Sequence, residues 1–259
     1  MPRGRLDVAR LIPIFLISLG VVGIENALTR FFAVAAWSDY GYWIISMVMA
    51  GFALSGVVVA VFRETAERWG SALRLILPPL MVLAAALGFM QVTVNPFNPL
   101  QLQNPTTWTS EIRNIALYYW ALLPFFFLAG TYISVVFIQN HARIGKVYGY
   151  DLIGAAAGAL TALGLMFVLH PFVLIPALIV PVALAPVFEK GRHKWLGVSA
   201  AFLALIGGWY LLFTGPAPAF SQYKAIYAPM HTTGAQVEGQ SRQPPDRPIS
   251  RVSACGRSR

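Results

Sequence analysis

The chain has 259 residues, is 57% hydrophobic and only 11% charged, and carries a net charge of +9 with a single cysteine. Soluble domains hold about 25% charged residues, so this composition excludes a water-soluble core. The lone Cys255 excludes an internal disulfide and a thiolate metal cluster. The basic residues stand in short clusters beside long apolar runs, the pattern of loops facing anionic lipid and not of a nucleic-acid surface.

A spanning helix takes about 20 mostly apolar residues, because the hydrocarbon core is about 30 Å thick and a helix rises 1.5 Å per residue. Seven runs qualify, at 11–36, 41–62, 75–95, 115–138, 150–169, 172–188 and 196–214. The sixth holds Pro176, Pro181 and Pro186, each of which removes a backbone donor and is expected to kink it. The sequence therefore predicts an all-α polytopic bundle over 1–214, a Gly/Pro/Ala-rich linker over 215–240 and a disordered basic tail over 241–259.

Basic and non-basic connections alternate. Arg3, Arg5 and Arg10 precede the first run, Asp39 follows it, and Arg63, Arg68 and Arg74 follow the second. Arg143 and Lys146 follow the fourth, and Lys190, Arg192 and Lys194 follow the sixth. With basic connections inside, the N-terminus is expected on the cytoplasmic side. The same parity puts residues after 214 outside, where Lys224, Arg242, Arg247, Arg251, Arg257 and Arg259 conflict with it. A cleavable signal ending at Ala33-Val34-Ala35 is the other reading of the start, but Glu25 and Arg30 interrupt its apolar stretch.

Three ionisable residues form a candidate intramembrane polar site: Glu25 and Arg30 in the first run and Asp151 opening the fifth. The alternative ends the first helix near Ala27, with both charges at the interface, and makes Asp151 a helix N-terminal carboxylate. Gly154 and Gly158, continued by Ala162, offer a small-residue face for close helix packing or for self-association; Gly51 with Ser55 and Gly56 with Ala60 offer similar faces. Trp37, Tyr40, Tyr42, Trp43, Trp108, Tyr118, Tyr119 and Trp120 fit an interfacial aromatic belt. The long loop 96–114 reads as a connection that caps the bundle or lines an entrance. No two histidines have ligand spacing, so no metal is expected, and no nucleotide-binding or catalytic motif occurs, so no catalytic or cofactor-binding residue is assigned.

Residues 126–164 resemble the membrane portion of bacterial spermidine synthase-like proteins, most specifically in the pattern Gly145-x-x-Tyr148-x-x-Asp151-Leu152-x-Gly154-Ala155-x-x-Gly158-Ala159. Glu25 and Arg30 look like that family's polar pair in the first helix, and Gly51 to Gly56 like its glycine-rich second helix. The resemblance implies a membrane domain preceding an aminopropyltransferase domain, and hence an anchor or a polyamine-handling module in the lipid bilayer of a bacterial plasma (inner) membrane. That catalytic domain is expected soon after Ser241; the basic sequence there reads instead like a frameshift or a premature end. The chain is accordingly expected to lack aminopropyltransferase activity. A small-molecule transporter and a plain membrane scaffold are the competing readings.

Overall fold

The structure, a computed structural model, describes residues 11–35, 41–94, 105–106, 108–189 and 194–215. The expected linker beyond Gly215, the tail, Trp37, Tyr40 and most of loop 96–114 lie outside the described residues.

Among the described residues seven helical segments are long and apolar enough to cross a membrane, the sixth only when it is taken together with the 3-10 turn that follows it, as Pro171–Phe188. They are α1 (Ile12–Ala35), α2 (Gly41–Val61), α3 (Arg63–Val94), α4 (Trp108–Gln139), α5 (Ile144–Met166), α6 (Pro171–Leu184) and α7 (Lys194–Thr214). All seven expected runs are present, but several helices are longer than hydrophobicity alone indicates. α3 begins at Arg63 where a loop over 63–74 was expected. Its first turns carry helix-forming residues with Glu64 at the dipole-positive start, and Arg63 bonds Glu67 four residues on at 2.9 Å. At 32 residues α3 is about 48 Å long, so this amphipathic end projects beyond the hydrocarbon. α4 likewise starts at Trp108, and α5 starts at Ile144 after a 3-10 turn over His141–Arg143. α6 runs through Pro176 and Pro181 and tightens into a 3-10 turn at Ala185–Phe188. One proline-rich carbonyl, that of Pro176, accepts the Trp209 indole N–H from α7 at 3.0 Å.

Small residues set the register between helices. A methyl group added at Gly154 would run into the α1 backbone at Phe15, and one at Gly158 into the backbone at Leu19. Both contacts advance by four residues in each helix, so α1 and α5 run parallel in close contact. α3 and α4 run antiparallel: Gly88 lies against Ala121 at one end and Gly70 against the Gln139 side chain at the other. α3 and α7 run parallel, with Gly197 beside Leu75 and Gly208 beside Ala86. These registers gather the starts of α3, α5 and α7 and the ends of α4 and α6 at one end of the bundle. That end carries Arg63, Arg68, Arg74, Arg143, Lys146 and Lys194, and is called the basic end below. The start of α1 lies with that of α5, and the C-terminal end of α7 lies at the far end.

The core between the helices is apolar. Ile14, Ile17, Ile24, Met47, Met81, Phe125, Phe126, Leu174 and Ile175 are fully buried. Toward the far end, Phe31 packs edge-to-face on Phe89 (4.8 Å between centroids) and Phe172 (5.3 Å). Tyr118 joins this cluster through Phe32 at 5.9 Å and is buried, which corrects its expected place in the interfacial belt; Tyr42, Trp108 and Trp120 are exposed as that belt requires. α5 and α7 present Leu152, Ile153, Leu160, Leu163, Phe202 and Leu203 outward, a surface suited to lipid.

Of the expected packing faces, Gly154, Gly158 and Ala162 are buried within the chain, and Gly51 meets the Phe126 backbone of α4 with Ser55 buried beside Gly130. Gly56 faces open space. Gly158→Leu is expected to destabilise the bundle by about 1–3 kcal/mol through overpacking, whereas Gly56→Leu stays within about 0.5 kcal/mol. Thermal unfolding in detergent followed by circular dichroism checks this; equal losses at the two sites contradict the assigned faces.

Candidate functional site

Polar chemistry concentrates at the basic end. Glu189 directly follows the α6 span, and the 3-10 turn at Ala185–Phe188 turns it back against α3 and α4. Its side chain is 6% exposed. One carboxylate oxygen accepts the Tyr132 hydroxyl of α4 at 3.0 Å, and the other pairs with Arg74 Nη1 of α3 at 3.1 Å. Tyr132 is fully buried. The antiparallel α3–α4 contact places Arg74 and Tyr132 at one depth, because Gly70 leaves room for the Gln139 side chain. Burial pushes the Glu189 carboxyl above the ordinary carboxylate range, against the smaller downward pull of Arg74 and the Tyr132 hydroxyl.

Beside this triad opens a cavity of about 670 Å³, lined by Arg63, Glu67, Arg74, Ile138, Gln139, Asn140, His141, Phe188 and Glu189. Arg74 Nε is buried and meets no acceptor among the described residues. Asn140 donates its amide to Val136 O at 2.8 Å, and His141 Nδ1 lies 3.2 Å from Ile138 O. The lining is therefore mixed in charge, with each carboxylate already matched to an arginine: Glu67 to Arg63 and Glu189 to Arg74.

The three residues expected to form one intramembrane site are not brought together. Asp151 accepts a hydrogen bond from Ser18, a buried hydroxyl of α1, and so ties α5 to α1. Glu25 lies on the same face as Ser18, seven residues and two turns further along α1, half-buried. It makes no side-chain hydrogen bond or ion pair among the described residues. Arg30 is exposed and points well away from Glu25, since five residues rotate about 140° around a helix. α1 continues to Ala35, so Glu25 sits in mid-span and not at a helix end. His141 lines the cavity, and His170 stacks on Phe172 at 5.0 Å. Among the described residues no group of His, Cys, Asp and Glu could hold a metal ion.

Sequence reasoning missed the Arg74–Glu189–Tyr132 triad. Arg74 and Glu189 fell in separate basic connections and Tyr132 in an apolar run. The available signal was positional: each charge abuts an apolar run, where its side chain reaches protein before it reaches water.

Comparison of the chain with protein-family models, with curated proteins and with solved structures finds no match.

Breaking a buried ion pair from one side is more costly than replacing both partners. Arg74→Met is therefore expected to cost about 3–5 kcal/mol by leaving the Glu189 carboxyl uncompensated, with much of that loss recovered in Arg74→Met/Glu189→Met. A double-mutant cycle on thermal or denaturant unfolding measures the coupling; additive losses contradict the pair.

Proposed function

We propose that the chain is a membrane module of the spermidine synthase-like kind, an anchor in a bacterial plasma membrane that keeps its polar chemistry at a cytoplasmic basic end. In this reading it transfers no aminopropyl group itself. The observation that carries the anchor role is the distribution of polar groups. Apart from the tyrosines Tyr118 and Tyr132, the buried polar side chains among the described residues are Ser18, Ser55, Thr93, Glu111 and Glu189. Ser55 and Thr93 bond carbonyls of their own helices, Ser18 bonds Asp151, and Glu111 lies in the first turn of α4. The space between them is filled by apolar side chains, so the polar cavity leads inward from one end and meets a dry core.

The Gly145 to Ala159 pattern supports the family part of the reading through its work in the fold. Asp151, Gly154 and Gly158 all face α1, so this part of the pattern serves as a packing surface, while Gly145 and Tyr148 face outward. The cavity favours anchoring over polyamine passage, since a polycation needs free carboxylates and the buried one in the wall, Glu189, has both oxygens taken. The positive-inside rule supports the orientation.

A transporter is the second reading, and Glu25 is what favours it: a half-buried, unpartnered carboxylate in mid-span is the kind of group that ion and substrate pathways use. Both readings meet in one experiment on the purified chain. Reconstituted in liposomes, it is expected to take up no labelled putrescine or spermidine above protein-free vesicles, and in detergent to turn over no putrescine with decarboxylated S-adenosylmethionine. Uptake that disappears in Glu25→Gln establishes transport and removes the anchor reading; turnover removes the claim of no catalysis.

A further inference from the structure

The anchor role leaves the cavity at the basic end without a purpose, and its chemistry is specific. Arg74 is held in place by a carboxylate whose two oxygens are both taken, one by Arg74 Nη1 and one by the Tyr132 hydroxyl. Glu189 therefore orients the guanidinium and has little capacity left for a ligand. The same guanidinium keeps a buried Nε–H with no acceptor among the described residues. A buried donor left unmade is costly, and a guanidinium edge is shaped for an oxyanion. A second cation on the cavity wall, Arg63, is committed only to Glu67 in a pair whose side chains are 68% and 50% exposed. Such surface pairs are worth little and yield readily to a better partner. Gln139 and His141 add polar groups to the wall, and Phe188 adds an apolar edge.

We propose that this cavity binds a phosphate oxyanion, carried by a phospholipid headgroup or by a small soluble phosphate ester. The phosphate sits against the guanidinium of Arg74, a side chain 23% exposed, with Arg63 as the second cation and Phe188 bordering the glycerol or ester carbons. A cation is disfavoured at the buried part of the wall because both oxygens of Glu189 are taken. The volume, about 670 Å³, lies within the roughly 300–1,000 Å³ usual for ligand sites and exceeds what a bare phosphate fills. The location suits a headgroup, because α3 leaves the apolar core through its Arg63–Arg74 turns. The inference stands on these residues and not on the spermidine synthase-like resemblance.

The test uses the full chain, purified and delipidated in detergent, titrated by native mass spectrometry. Phosphatidylglycerol and phosphatidylethanolamine are expected to bind, and diacylglycerol of the same chain length is not. Glycerol 3-phosphate and inorganic phosphate serve as competitors: displacement of the lipid assigns the soluble source, and no displacement assigns the headgroup. Arg74→Lys keeps the charge but loses the fork, and is expected to weaken phosphate-bearing ligands about tenfold. Should that variant not fold by circular dichroism, Arg63→Glu at the exposed wall is expected to weaken them several-fold. Equal binding of diacylglycerol, binding unchanged in the folded variant, or no binding of any phosphate-bearing probe overturns the proposal.

Discussion

Lipid tails are as apolar as leucine, so nothing like the hydrophobic effect presses transmembrane helices together. What holds them is the number of atoms in van der Waals contact and the few polar bonds between them. In this chain that constraint is met first between α1 and α5, where Gly154 and Gly158 bring the backbones into contact at Phe15 and Leu19. The Ser18–Asp151 bond closes the same contact at its basic end. Any side chain at the two glycines would part the helices and lengthen that bond. α1 also packs on α6 and α2, so the helix that α5 fixes is the one around which much of the bundle is arranged.

A second consequence follows from the same physics. An unpaired polar group in hydrocarbon is expensive, and the chain handles its polar groups in two ways. Within the spans, Asn26, Thr29, Ser55, Thr93 and Thr131 bond carbonyls three or four residues back on their own helices. At the basic end, where water and headgroups are close, the Arg74–Glu189–Tyr132 triad draws one group from α3, one from α4 and one from the turn after α6. The first device keeps the core dry. The second fixes three helix ends relative to one another and shapes the cavity beside them. Glu25 follows neither, and for that reason it carries the competing transport reading.

The all-α class and the seven crossings are legible in the sequence because hydrophobic length is a one-dimensional property. Residues 63–74 show where that reading stops: the segment is polar, so hydropathy marks it as a loop, yet its propensities and the Arg63–Glu67 spacing make it helix. The small-residue face at 154, 158 and 162 is visible as a packing surface, but its partner is not, because nothing local to α5 distinguishes α1 from a second copy of the chain. The triad is illegible for a related reason. Its members lie 58 and 57 residues apart in sequence from Arg74 to Tyr132 and on to Glu189, and only the antiparallel register of α3 with α4 and the turn after α6 bring them together. Conversely, Glu25, Arg30 and Asp151 look like a set because all three are charges near apolar runs, but helix rotation turns Arg30 away and two turns of α1 separate Glu25 from the Ser18–Asp151 bond.

The parallel contact of α1 with α5 inside one chain is the claim on which the rest stands, and disulfide trapping measures it most directly. In a Cys255→Ser background, Ser18→Cys paired with Asp151→Cys is oxidised in native membranes and run without reductant. The account predicts a cross-link within the single chain, seen as a monomer of altered mobility that reverts on reduction. A cross-link that appears only as a dimer band, or none while the protein remains folded, contradicts it.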